Sequence, residues 1–233
     1  ALGRGSVSCL VGDDLCSSVA GNRAANDAGS GGNGGAAQVL AGSQLTLAHT
    51  RMHGNMAGNN ALLRVNGVGT TVRLDNTLLV GNQTIGRLVT VANSATLDVD
   101  FTTLADNQFN GGALESVAGA SVIFQRSILQ VGSGLALALG SGSVLAACVN
   151  TTAGELGGDA HAPGFANAAN GDYSLRASSQ NLDRCASDGN EPLVDIAGRR
   201  RSIDRAQLPN NIGPLDRGAY EDSDELLRDG FES

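Results

Sequence analysis

Four stretches of this 233-residue chain superpose without a gap: Leu45–Asn55 (LTLAHTRMHGN), Val72–Asn82 (VRLDNTLLVGN), Leu97–Asn107 (LDVDFTTLADN) and Val122–Gly132 (VIFQRSILQVG). A fixed period constrains a fold more than composition does, because each unit can bury its apolar side only by stacking on the next. Read down the columns, Leu45, Val72, Leu97 and Val122 are followed two residues later by Leu47, Leu74, Val99 and Phe124, all apolar. The positions beside them (Thr46, Arg73, Asp98, Ile123, then Ala48, Asp75, Asp100, Gln125) are mostly polar. That alternation is the period of a half-buried strand, so the first set faces a core and the second faces solvent.

Further along come a hydroxyl column (Thr50, Thr77, Thr102, Ser127), an apolar column (Met52, Leu79, Leu104, Leu129) and an asparagine column, Asn55, Asn82 and Asn107, spaced 27 and 25 residues apart. No i, i+3, i+4, i+7 pattern accompanies the period, which leaves no helix for a leucine-rich or ankyrin repeat. The pattern predicts an all-β, right-handed parallel β-helix. The asparagines are expected at a corner, in the left-handed backbone region, each amide bonding its copy in the next rung. An earlier coil, Val11–Asn22, places Ser17 and Asn22 in the hydroxyl and asparagine columns, and a later one spans Leu135–Val149. That makes about six rungs. Gln38–Ser43, Leu88–Ser94 and Leu114–Ala120 read as a second short strand and turn within each coil. The predicted organisation is rungs over 1–159 with a Gly-rich corner loop at 28–35, an irregular capping segment over 160–221 and an acidic tail over 222–233.

Lys and Trp are absent, aromatics make up 3% and glycines number 33, so the core must be built from Val, Leu, Ile and Ala, which suits short strands and many corners. A net charge of −8 repels phosphate backbones and anionic lipid, so nucleic acid is not an expected partner. No stretch approaches the roughly 20 apolar residues of a membrane span. The chain begins at Ala1 and reads as a mature fragment or a trimmed piece. Cys9, Cys16, Cys148 and Cys185 have no metal-ligand spacing; disulfides Cys9–Cys16 and Cys148–Cys185 are expected, buried free thiols being the alternative. Paired cysteines imply an oxidising compartment, hence a secreted or cell-surface protein.

Past Asn150 the columns stop. Pro163-Gly164-Phe165, Gly171 to Leu175, Ser178 to Asp183, Asp195 to Arg201 and Asp216 to Glu221 follow in order. This series resembles the C-terminal part of bacterial choice-of-anchor right-handed β-helix proteins, which are similar to polymorphic outer-membrane proteins and adhesin-like members of the pectate-lyase superfamily. The specific part covers residues 163–221, and the chain departs from the pattern at Arg184-Cys185. Its ending, Asp229-Gly230-Phe231-Glu232, is similar to a short tail on exported proteins of Gram-negative bacteria. The resemblance implies a secreted or surface protein with a structural or adhesion-like role toward glycan or envelope components. Physically, 160–221 is expected to cover the open end of the stack, with Arg199, Arg200 and Arg201 bonding carbonyls, pairing with Asp195, Asp204 or Asp216, or binding an anionic glycan.

The alternative is a polysaccharide lyase or hydrolase. Its candidates are Asp75, Asp98, Asp100 and Arg73, which share one outward face, with Asp75 and Asp100 about 4.8 Å apart at the backbone. Such a row can hold a cation or polarise a sugar, so calcium is the one cofactor it admits. Asn-Thr-Asp, Gly-His-Gly and Arg-x-Lys motifs are missing, and Phe101 and Phe109 are the only aromatic platforms in the rungs. The expectation is a solvated, non-catalytic row in which Arg73 pairs with Asp98 and whose conversion to Asn has little effect on stability. The Gly-rich stretch Ala28–Gly35 lacks the Asp of a calcium-binding nonapeptide and does not repeat. His49, His53 and His161 read as surface residues, because no third ligand converges on them.

Overall fold

The computed structural model describes residues 16–24, 32–58, 61–110, 112–131, 138–152, 154–201 and 212–222. The fold is all-β, a parallel β-solenoid of about four turns. That is fewer than the rungs counted from the columns. The difference falls at the ends, where Ser17–Ala20 and Ser143–Ala147 join the main sheet without a full coil described around them. Leu45 pairs with Val72, Val72 with Leu97, Leu97 with Val122 and Val122 with Val144, so the columns are the register of the sheet.

The coils stack into two parallel sheets, and the first three add a third. The main one stacks Gln44–His53, Thr71–Val80, Thr96–Asp100 with Thr103–Ala105, Ser121–Gln125 with Ile128–Leu129, and Ser143–Ala147 with Asn150–Thr151. A second stacks Ala37–Leu40, Ala61–Asn66, Arg87–Ala92, Leu114–Val117 and Ala138–Leu139; a third, narrow one stacks Arg23–Ala24, Met56–Ala57 and Gln83–Thr84. Between them lies one aliphatic core, in which Val72, Leu97, Val122, Met52, Leu79 and Leu129 are buried.

The main sheet is folded along a line where His49, Asn76, Phe101, Arg126 and Cys148 all take positive φ, between 43° and 54°. Side chains other than glycine rarely adopt this region, and five stacked ones need a local partner for the kinked backbone. The hydroxyl column supplies it for the first four. Thr50, Thr77, Thr102 and Ser127 each donate across the kink to the carbonyl two residues back, at 2.9, 3.2, 3.0 and 2.5 Å.

At the next corner the asparagine amides form a continuous ladder. Nδ2 of Asn22 donates to Oδ1 of Asn55, that of Asn55 to Asn82 and that of Asn82 to Asn107, at 2.9, 3.0 and 2.9 Å. Each Oδ1 also accepts the backbone N–H of the preceding asparagine. The left-handed backbone expected of these asparagines belongs instead to the residue before each: Gly21, Gly54, Gly81 and Asp106. Asparagine is needed here for its amide and not for its φ. Asn82 is 1% exposed and also donates to Met52 O and Val80 O. Replacing it with Ala leaves several buried groups unpaired and is expected to cost about 3 kcal/mol, read as a lower urea midpoint at unchanged slope.

The end of the stack is closed by residues 154–159. Leu156, in the single turn Glu155–Gly157, packs against the core, and Asp159 bridges to Asn150. The segment expected to close that end, from 160 onward, instead lies along the flank. Its described residues bond the fold line and the face beyond it, from Arg51 and Asn76 to Thr103 and Arg126.

Candidate functional site

The acidic row does not behave as one unit. Arg73 reaches Asp98 at 3.3 Å and Asp75 at 3.4 Å, with Arg73 and Asp98 both partly open to solvent, so this part is a surface ion pair worth about 0–1 kcal/mol. Asp100 departs from expectation. Its side chain is 4% exposed and clamps Arg126, Oδ1 accepting from Nε at 2.9 Å and Oδ2 from Nη2. The left-handed kink at Phe101 places Asp100 at the fold line, where the C-terminal segment shields it. Converting Asp100 to Asn is therefore not neutral: it half-unpairs a buried guanidinium, a change of about 3–5 kcal/mol. Asp75 sits between these extremes. Burial raises its pKa, more than Arg73 offsets, with Asp100 raising it further, and its Oδ1 is buried without a hydrogen-bond partner.

The fold line itself carries the densest chemistry, and column reading missed it. His, Asn, Phe, Arg and Cys repeat no side-chain type, because each makes a different kind of contact with the C-terminal segment. His49 Nε2 lies 3.4 Å from Val194 O, and Asn76 Nδ2 donates to the same carbonyl at 3.0 Å. Cys148 bonds Cys185, with Cα atoms 5.8 Å apart. Phe101 is fully buried between two guanidinium groups, Arg126 at 4.6 Å and Arg201 at 3.9 Å from its ring centre. Beyond the line, outward-facing Leu78, Val80 and Ala105 are buried against Tyr173, Ile196, Ala197, Ala219 and Tyr220. Unbroken apolar runs such as Leu78-Leu79-Val80 were the available signal, since a strand covered on both faces loses its alternation.

The motifs quoted for the family resemblance build this clasp. Arg201 donates to Asn76 Oδ1, to the carbonyls of Gly218 and Ala219, and to Glu221 Oε2 at 3.1 Å. Asp195 Oδ1 accepts the N–H groups of Ala197 and Arg199, and its Oδ2 accepts that of Glu221. Asp216 accepts those of Asp183 and Asp222. The carboxylates act as turn-formers. Pro163 O accepts from Ser179 and Asn181, and a Cβ on Gly164 (φ 72°) would lie 2.9 Å from Ser179 Cβ.

Burial pushes the Asp216 carboxyl up to about 7, reinforced by the charges of Asp183 and Asp222, and Glu221 up to about 9, reinforced by Asp216 and Asp195; burial also raises Asp195. A carboxyl raised in the folded state adds stability below its unfolded pKa and loses it as pH rises through the folded value. Asp159 runs the other way: held low by Arg217 and Arg184, it adds stability above its unfolded pKa that is lost in acid. Urea stability is therefore expected to peak near pH 5 and to decline from there toward pH 9, with a slope up to about 1.4 kcal/mol per pH unit for each proton held. A flat urea midpoint between pH 5 and pH 9 would contradict this.

Other expected features find different places. Phe101 and Phe109 are buried, so neither offers a platform to a sugar. His49, His53 and His161 are half-buried, His53 beside Ser18 and His161 beside Asn150, well apart from one another in the chain's contacts. Among the described residues no group of three His, Cys, Asp or Glu is arranged to hold a metal ion. Cys16 is disulfide-bonded, but its expected partner Cys9 lies outside the described residues. So do Asp204, residues 28–31 of the Gly-rich stretch and the tail beyond Asp222.

Architecture and flank together define the class: a parallel β-solenoid clasped along one edge by its own C-terminal segment. Compared with protein-family models, curated proteins and solved structures, the chain matches none.

Proposed function

We propose that the chain is an exported, surface-presented β-solenoid of the choice-of-anchor kind, with a structural or adhesion-like role toward glycan or envelope components. One observation carries this reading. The clasp covers a single flank and leaves regular rows open elsewhere, such as Gln44, Thr71, Thr96, Ser121 and Ser143 in mutual register on the main sheet. A rigid array of hydroxyl and amide groups at about 4.8 Å spacing suits contact with an extended, repeating polymer more than with a small metabolite. The Cys148–Cys185 bridge supports residence in an oxidising compartment. The test is a glycan array, repeated over a calcium titration. Retention of defined polysaccharides supports the reading; no retention of any glycan or envelope fraction removes it.

A polysaccharide-active role is the second reading, favoured by the raised, half-unpartnered carboxyl of Asp75 beside Arg73 and Asp98. Asp100 must be left intact in its test, since that residue holds the clasp. The double replacement Asp75→Asn with Asp98→Asn is expected to leave binding unchanged and stability within about 0.5 kcal/mol. Loss of a measured depolymerising activity in this variant would establish the enzymatic reading instead.

A further inference from the structure

A cavity of about 450 Å³ opens beside the Cys148–Cys185 bridge, between the main sheet and the clasp. Its wall carries three guanidinium groups, those of Arg126, Arg184 and Arg217, in a chain whose net charge is −8. Their counter-ions are unequal. Arg126 is held from behind by buried Asp100. Arg184 and Arg217 share one oxygen, Asp159 Oδ2, at 2.8 and 2.7 Å, and the Nε of each is buried without a hydrogen-bond partner. The third carboxylate is Asp188, whose Oδ2 lies 3.0 Å from Arg126 Nη1 while its side chain is 52% exposed. Three cations thus share the lining with one carboxylate, Asp188 on an open turn, while Asp100 and Asp159 pair with them from outside it.

We infer that this cavity is a binding site for a carboxylate-bearing sugar residue, with Asp188 occupying the place of the ligand's carboxylate when the site is empty. The inference rests on the reading of the chain as a glycan-binding solenoid and names the subsite and the chemistry. A planar carboxylate matches the fork geometry of guanidinium, and lifting Asp188 toward solvent frees Arg126 Nη1 without unpairing its buried edge. Ala147, Ala186 and Ile212 supply apolar wall for the carbon face of a sugar ring. A volume in this range takes a sugar residue rather than a whole chain, which would leave the cavity along the open sheet.

Calorimetric titration of the intact protein with trigalacturonate, galactotriose and sodium sulfate tests it. Trigalacturonate is expected to bind and galactotriose not. Asp188→Asn removes the internal competitor and should tighten trigalacturonate several-fold, whereas Arg184→Gln should weaken it about ten-fold through loss of a charge-assisted contact. Arg184 is partly exposed, so its variant is checked by an unchanged melting curve; if it unfolds, the tightening in Asp188→Asn alone decides. Equal affinity for trigalacturonate and galactotriose, binding of sulfate alone, or equal trigalacturonate affinity in wild type and both variants overturns the site. Array retention that survives Arg184→Gln counts against the site but not the adhesion reading. Trigalacturonate binding without any array retention supports the site and counts against that reading.

Discussion

Replacing Arg201 with Met is expected to lower stability by about 3–5 kcal/mol, as large an effect as that of removing the Asp100 charge. Arg201 is 4% exposed and joins three parts of the chain: Asn76 on the fold line, the carbonyls of Gly218 and Ala219, and Glu221. Met restores the stem and some contact with Phe101 but none of these bonds. The loss takes a donor from the Gly218 carbonyl and from Asn76 Oδ1, and leaves Ala219 O only the N–H of Ile196 and Glu221 Oε2 only that of Asp216. Lys is no substitute, since a single ammonium cannot reproduce the planar fork or stack on the ring. Urea denaturation followed by circular dichroism measures the loss, and limited proteolysis locates it. Cleavage within 193–222 ahead of cleavage within the rungs is the expected pattern, because those coils retain their own core and asparagine ladder. An unchanged urea midpoint would show that Arg201 does not hold the clasp.

The stack was legible because its chemistry repeats. Val72, Leu97 and Val122 are buried, and Leu45 partly so, for one reason and in one register, so a column displays it four times. Asn55, Asn82 and Asn107 were legible in the same way, although the left-handed φ belongs to their neighbours. The fold line was not legible. His49, Asn76, Phe101, Arg126 and Cys148 share a backbone conformation but no side-chain chemistry, and a column reading discards such a position as variable. Asp100 was misplaced for a related reason. Strand alternation puts it outward with Asp75, and that is correct for the isolated sheet. What buries it arrives from about a hundred residues away, on a segment whose docking no local period announces. The site at Arg126, Arg184 and Arg217 escapes sequence reading altogether, because it exists only once the clasp is seated.

That seating has a covalent part, whose removal should be nearly as costly as that of Arg201. Cys148 and Cys185 close a loop of sequence separation 37, for which the chain-entropy argument gives a stabilisation of about 4 kcal/mol. The double variant Cys148→Ala with Cys185→Ala isolates this bridge from the one made by Cys16, which a reducing agent would also open. Cys148 is the last described position on the fold line, and Cys185 is 1% exposed beneath Leu215 in a small cluster with Phe101. Cutting the bridge therefore frees the clasp at the C-terminal end of the stack while Arg201 still holds it near Asn76. The expected outcome is a urea midpoint lowered by the equivalent of about 4 kcal/mol, with earlier proteolysis around 184–192 and the rungs intact. Since Asp188 and Arg184 lie on that freed turn, the same variant should also lose affinity for trigalacturonate, which wild-type protein with its bridge intact retains. Unaltered denaturation in the double variant would mean that the non-covalent contacts alone seat the clasp, and that the bridge constrains an ensemble already compact at this point.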